Sequence, residues 1–214
     1  MLIAIIDSGC FNHKLLREKL IYGKNFTSEG NSQNVIDNLG HGTHVAGIIH
    51  DIIPEAQLLI IKVLDRYGYG TIDNVTHGIY YALDKGANII NISIGYEDPD
   101  DELKAAIEAA ESENVPVICA AGNHNTIEYP AQYGISVGSI DNKGNVSEFS
   151  TNNATLYALG EDIESTYLND SYEILTGTSM ATAKMTGYIA KYIMNNGDTQ
   201  IIDFIKQSKG DNTW

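Results

Sequence analysis

Short apolar runs alternate with amphipathic stretches along most of the chain. Near-continuous runs at residues 2–6, 58–63, 88–94, 115–120 and 135–139 are mostly β-branched and predict strands covered on both faces. Between them, amphipathic patterns predict helices over 43–51, 72–85 and 101–112. The third has a clear start, with Pro99 ahead of it and Asp100, Asp101 and Glu102 where acids favour the positive end of the helix dipole. After residue 140 the pattern changes. Asp141-Asn142-Lys143-Gly144 is a turn signal, and 156–175 reads as short strands and loops. Two helices follow, over 180–195 and, with Asp198 as N-cap, over 199–208. The βαβα order predicts an α/β fold of three layers, a mainly parallel β-sheet with helices on both faces. No linker, low-complexity tract or internal repeat divides the chain, so 1–214 reads as one domain.

Composition narrows the partners. The 214 residues are 43% hydrophobic and 19% charged, the balance of a chain that can bury a core. Against 13 Lys and Arg stand 28 Asp and Glu, a formal net charge of -15. A phosphate backbone needs a clustered basic surface, so no nucleic-acid partner is expected, and an anionic membrane is disfavoured for the same reason. The charge attracts cationic ligands or peptides instead. No apolar run approaches the roughly 20 residues of a membrane span. The stretch Leu2-Ile3-Ala4-Ile5-Ile6 lacks the length, basic flank and cleavage site of a signal peptide. With Met1 as the native start, the cytoplasm is the expected location, with Cys10 and Cys119 as free thiols.

Parallel α/β sheets place their sites at the carboxyl ends of strands, where several residues with useful chemistry fall. Asp7 ends the first strand in Ile6-Asp7-Ser8-Gly9, and His41 opens a helix in Gly40-His41-Gly42-Thr43-His44-Val45-Ala46-Gly47. Asn123 follows a strand in Ala120-Ala121-Gly122-Asn123, and Ser179 opens a helix in Thr176-Gly177-Thr178-Ser179-Met180-Ala181. A serine hydroxyl becomes a nucleophile only when a base takes its proton. The base needs a buried acid to orient it, and the developing oxyanion needs fixed donors. Asp, His, Ser and Asn supply those four roles. Singly, each segment has an ordinary reading: a turn at Asp7, an N-cap at Ser179, a turn residue at Asn123. His41 and His44 have metal-ligand spacing, but no third or fourth ligand accompanies them.

Together the four motifs resemble the subtilisin-like serine proteases, the subtilases, in the family's order Asp, His, Asn, Ser. His-Gly-Thr-His-Val-Ala-Gly and Gly-Thr-Ser-Met-Ala are the most specific strings, and the resemblance runs from about Leu2 to the last helix. It implies a subtilisin-like fold and a serine endopeptidase. Ser179 would be nucleophile, His41 general base and then acid, and Asp7 the residue that orients His41. Asn123 and the Ser179 N–H would form the oxyanion hole. His44 would be structural. A peptide or protein substrate would bind extended between Ser93-Ile94-Gly95 and Gly68-Tyr69-Gly70. Ala120-Ala121-Gly122 would wall the pocket for the residue before the scissile bond, and Tyr129-Pro130-Ala131 resembles another part of its wall. No cofactor or metal is expected. The role suggested is selective processing of a precursor, such as removal of a leader. The alternatives are general intracellular degradation or a weakly catalytic peptide-binding pseudoprotease.

Four departures from the family accompany this reading. No propeptide is visible ahead of the Asp7 strand. The catalytic-His helix runs almost directly to Pro54, where many secreted relatives carry a calcium loop, and Asn12-His13-Lys14-Leu15 lacks an acidic ligand. Ala183 stands where the family has a proline, expected in the first turn of the nucleophile's helix. The acidic run Glu97-Asp98-Pro99-Asp100-Asp101-Glu102 follows the substrate strand, as helix-capping acids or as a selector of basic substrates. His124, next to Asn123, falls at the pocket rim.

Overall fold

A computed structural model describes residues 1–197 together with Ile201, Ile202 and Ile205. Among these residues, seven strands form one sheet: β1 (Leu2–Asp7), β2 (Leu20–Asn25), β3 (Gln57–Lys62), β4 (Ile89–Ile92), β5 (Val117–Ala120), β6 (Ile135–Ile140) and β7 (Leu156–Leu159). Their order is β2-β3-β1-β4-β5-β6-β7, with every neighbouring pair parallel. Successive side chains alternate across the pleat, so each inner strand feeds two cores. Ile3, Ile5, Leu58 and Ile60 pack with Val45 and Ile49 of α1 (His41–Ile52) and Met185 and Ile189 of α4 (Thr178–Asn196). Ala4, Ile6, Leu59 and Ile61 pack with Val75 and Ile79 of α2 (Ile72–Asp84) and Leu103 and Ile107 of α3 (Asp101–Ser112). The expected three layers are present, and the fully apolar strands are those buried on both sides.

Two regions lay outside the apolar pattern. β2 is an edge strand, half exposed and irregular in register between Tyr22 and Lys24, so its outer face needs no apolar side chains. Residues 156–175 resolve into β7 and an antiparallel hairpin of β8 (Ile163–Thr166) and β9 (Tyr172–Leu175). The hairpin is tied to α1: Ser165 Oγ donates to the His44 carbonyl at 2.8 Å, and Thr166 Oγ1 to the Thr43 carbonyl at 2.9 Å. The expected helix over 199–208 lies outside the described residues except for Ile201, Ile202 and Ile205, which are helical and buried.

Two helices begin earlier than their apolar periodicity indicates: α1 at His41 and α4 at Thr178. Their first turns are built from Gly, His, Thr and Ser, which give no apolar signal. The shift corrects one expectation. Ala183 lies in the second turn of α4, fully buried, one helical turn beyond Ser179.

Strand order reverses at β1. The chain passes from β1 through β2 to β3 on one side, then crosses to β4 and works outward to β7. Ligands in such sheets bind beyond the carboxyl ends of the strands at this switch point. The residue there is Asp7.

Candidate active site

Asp7 is fully buried at the end of β1. Its Oδ1 accepts the Ser8 N–H at 2.7 Å and His41 Nδ1 at 2.8 Å. The second contact requires α1 to begin almost on top of β1. Gly42 permits this: a β-carbon there would overlap the Gly9 carbonyl and stand 3.2 Å from Asp7 Oδ1. The helix start is held by two side chains from outside α1. Ser8 Oγ accepts the Gly42 N–H at 2.9 Å, and Asp37 Oδ2 accepts the Thr43 N–H at 2.9 Å. Both satisfy N–H groups that an α-helix leaves unpaired in its first turn.

Asp37 was not singled out in the sequence, yet it is the organising group behind His41. Its buried carboxylate accepts five donors: Ser8 Oγ, Leu39 N–H and Gly40 N–H on Oδ1, and the N–H and hydroxyl of Thr43 on Oδ2. The available signal was its position four residues ahead of His41, within reach of a helix start. Burial alone would lower the His41 pKa. The charge of Asp7, its hydrogen bond and the more distant charge of Asp37 outweigh that, and the imidazole titrates above its ordinary value. One edge of the ring stays open, with a quarter of the side chain exposed.

Ser179 is the second residue of α4 and half buried. Its Oγ donates to the Ser93 carbonyl at 3.1 Å, and Ser93 Oγ donates back to the Ser179 carbonyl at 3.2 Å. The reciprocal pair rests on a buried polar chain. Asn91 Nδ2 donates to Ser93 Oγ at 3.1 Å, and Thr186 Oγ1 donates to Asn91 Oδ1 at 2.9 Å. No hydrogen bond joins Ser179 to His41 among the described residues.

Asn123 follows β5, the next strand but one from β1. Its Oδ1 accepts both the N–H and the hydroxyl of Thr178, at 3.0 and 3.1 Å. A backbone N–H can only donate, so the atom facing it must be the amide oxygen. Nδ2 is left as a donor beside the start of α4, where the Ser179 N–H also lacks an intrahelical partner. The two groups are suited to an oxyanion.

The residues expected to line a substrate groove come together as two banks. Ser93, Ile94 and Gly95 continue β4, with Ile94 turned into the core and Gly95 exposed. Opposite, Gly68, Tyr69 and Gly70 form a turn around Asp65, whose Oδ1 accepts the Tyr67 and Tyr69 N–H groups at 2.8 and 3.0 Å. Tyr96 Oη donates to the Gly70 carbonyl at 3.3 Å and ties the banks together. Ala120, Ala121 and Gly122 are buried at the end of β5, beside the end of β4. Between these walls lies a group that the sequence did not mark, the carboxylate of Glu128.

Other candidates have structural places. His44 Nε2 donates to the Ile163 and Glu173 carbonyls at 3.0 Å each, and burial lowers its pKa, so it bridges α1 to the hairpin as a neutral ring. Asp100 caps α3 by accepting the Leu103 N–H at 2.7 Å, with Asp101 and Glu102 in its first turn. Burial pushes both thiols upward, Cys119 by desolvation alone and Cys10 by desolvation and then Asp37, so neither is a ready thiolate. The link from α1 to β3 does not fit a calcium site. Ile53 and Ala56 are buried in it, the Ala56 N–H closes onto the Ile53 carbonyl at 3.1 Å, and its one carboxylate is Glu55.

Comparison with known proteins shows which family the chain is similar to. Residues 1–203 match the family described as "Subtilase family". The intracellular serine protease of Paenibacillus polymyxa is 40% identical over an alignment 211 positions long that covers 88% of this chain and 65% of that protein. The major intracellular serine protease of Bacillus subtilis (strain 168) is 40% identical over an alignment 212 positions long that covers 88% of this chain and 66% of that protein. This chain therefore spans just under two thirds of either relative. The crystal structure of a cold-adapted subtilisin-like serine proteinase superposes with a TM-score of 0.84 at 30% identity, covering 91% of this chain and 76% of that one.

Proposed function

Because this chain belongs to the subtilase family, we propose that it is a serine endopeptidase that cleaves extended peptide or protein substrates through an acyl-enzyme on Ser179. The observation that carries the proposal is the 2.8 Å contact between His41 Nδ1 and buried Asp7 Oδ1 at the sheet's switch point. That contact fixes the tautomer, leaving Nε2 as the base. In the reaction, Ser179 Oγ leaves the Ser93 carbonyl, gives its proton to His41 Nε2 and bonds to the substrate carbonyl carbon. The carbonyl oxygen becomes an oxyanion held by Asn123 Nδ2 and the Ser179 N–H. Collapse breaks the C–N bond, and His41 returns the proton to the departing amine. Water, deprotonated by the same imidazole, then releases the acyl group and regenerates the Ser179 hydroxyl. Side chains and water suffice, with no metal or cofactor in any step.

The banks at residues 93–95 and 68–70 would hold the substrate as an added strand, with backbone hydrogen bonds giving affinity. A cytoplasmic setting is supported by the two relatives named as intracellular. Selective cutting, such as removal of a leader, is preferred to indiscriminate degradation because the pocket carries a charged group.

One observation favours a second reading, a peptide-binding pseudoprotease: the Ser179 hydroxyl is engaged by Ser93 rather than by His41. A fluorophosphonate probe separates the two. The folded protein should be labelled at Ser179 and Ser179→Ala should not. Folded, unlabelled wild type would favour the binding module instead.

A further inference from the structure

The segment before Tyr129-Pro130-Ala131 folds back across the ends of β4 and β5. The Glu128 N–H donates to the Ala121 carbonyl at 2.9 Å. Tyr129 and Tyr96 exchange both backbone hydrogen bonds, at 2.8 and 2.7 Å. Glu128 is thus fixed from both sides, and its side chain lies in the slot between Gly95 and Gly122. A β-carbon at Gly95 would overlap Oε2, and one at Gly122 would stand 2.5 Å from Cδ and 2.6 Å from Oε1. The slot exists because both wall residues lack side chains.

The carboxylate is largely buried, with 14% of its side chain exposed, and is only partly compensated. Oε1 accepts His124 Nδ1 at 2.7 Å, and Oε2 has no hydrogen-bond partner among the described residues. None of the described lysines or arginines pairs with it. Its one hydrogen-bond partner is therefore a 79% exposed imidazole, whose pKa the Glu128 hydrogen bond and charge raise. A buried carboxylate with a single exposed partner is costly to desolvate and favours a further cation.

We propose that Glu128 makes this pocket select lysine or arginine immediately before the scissile bond, their cationic heads meeting Oε2. This deepens, and rests on, the reading of the chain as a serine endopeptidase. It also relocates the electrostatic selector. The run at residues 97–102 is occupied in part with capping α3, whereas Glu128 stands inside the slot between the pocket walls.

The test uses peptides that differ only in the residue before the scissile bond, at low ionic strength, with active enzyme titrated by fluorophosphonate. Wild type should prefer Lys and Arg over Gln and Leu by about tenfold or more in kcat/KM, the size expected of one hydrogen bond to a charged group. Glu128→Gln should bring the kcat/KM ratio of Lys and Arg peptides over Gln and Leu peptides close to one, with fluorophosphonate labelling as the folding control. Two outcomes would overturn the proposal while leaving the endopeptidase reading intact: labelled, active wild type with no basic preference, or a preference for Ala that Glu128→Gly widens to Phe. The latter would make Glu128 a plug. Failure to label would remove the endopeptidase reading and this proposal together.

Discussion

Thr178 holds Asn123 by two hydrogen bonds, one from its N–H and one from its hydroxyl, both to the amide oxygen. The residue that begins α4 thereby aims the Asn123 amide nitrogen at the proposed oxyanion position. Asn123→Ala should lower kcat by about 10²–10³ with little change in KM, the size known for such a donor in a relative within this family. Thr178→Val keeps the N–H and removes only the hydroxyl. Its kcat should fall about fivefold, matching one neutral hydrogen bond. Steady-state kinetics on both variants, with circular dichroism as a folding control, check this. A Thr178→Val enzyme as fast as wild type would refute the aiming role.

The acid limb of the rate profile should be displaced. Only neutral His41 can take the Ser179 proton, and Asp7 and Asp37 stabilise the imidazolium beyond what burial removes. The rise of kcat/KM with pH should therefore centre above the ordinary histidine value of about 6.5. Asp7→Asn should move the midpoint down. Stability runs in the opposite sense: His41 is stabilising below its unfolded-state pKa, and that contribution is lost as pH rises through the folded one. Activity and this stabilisation exchange over the same window. A wild-type midpoint below that of Asp7→Asn would contradict the electrostatic argument.

Asp37→Asn should destabilise the fold by roughly 2–4 kcal/mol, because an amide nitrogen faces donors that the carboxylate accepted. The affected groups include the Thr43 N–H, so the start of α1 and the position of His41 loosen together. Urea denaturation should show a lower midpoint and kinetics a lower kcat. An unchanged midpoint would mean that the five-donor cluster contributes little.

Calcium should have little effect. A site bound at a hundredfold its Kd adds about 2.7 kcal/mol, which moves Tm by several degrees. The α1–β3 link offers one carboxylate, Glu55, and a buried, apolar turn. Melting curves in excess calcium and in chelator should coincide within about 2 °C. A larger gap would require a site elsewhere in the chain.

The central strands were legible because a parallel strand under helices must be apolar on both faces, and Ile3, Ile5, Leu58 and Ile60 alternate with Ala4, Ile6, Leu59 and Ile61 across one sheet. β2 was not, because an edge strand with one open side carries no such constraint. The apolar periodicity of α1 and α4 begins two residues after the helices do, because their first turns consist of small or polar residues. Asp7, His41, Asn123 and Ser179 were expected from local strings. Asp37 and Glu128 were missed because nothing local distinguishes them: each acts on residues brought near by the fold.

The sequence by itself determined the layer architecture and pointed to the proposed class of chemistry and the residues expected to perform it. Periodicity follows from burial, and the order of short motifs is specific even where each motif is ordinary. Tertiary structure decided what the charges do. The acidic run at 97–102 is conspicuous in sequence but partly engaged at a helix start. Glu128 is a single acid in a polar stretch, made consequential when chain reversal pairs Tyr129 with Tyr96 and lays the carboxylate between Gly95 and Gly122. Charge acts through distance and burial, and both are properties of the folded chain.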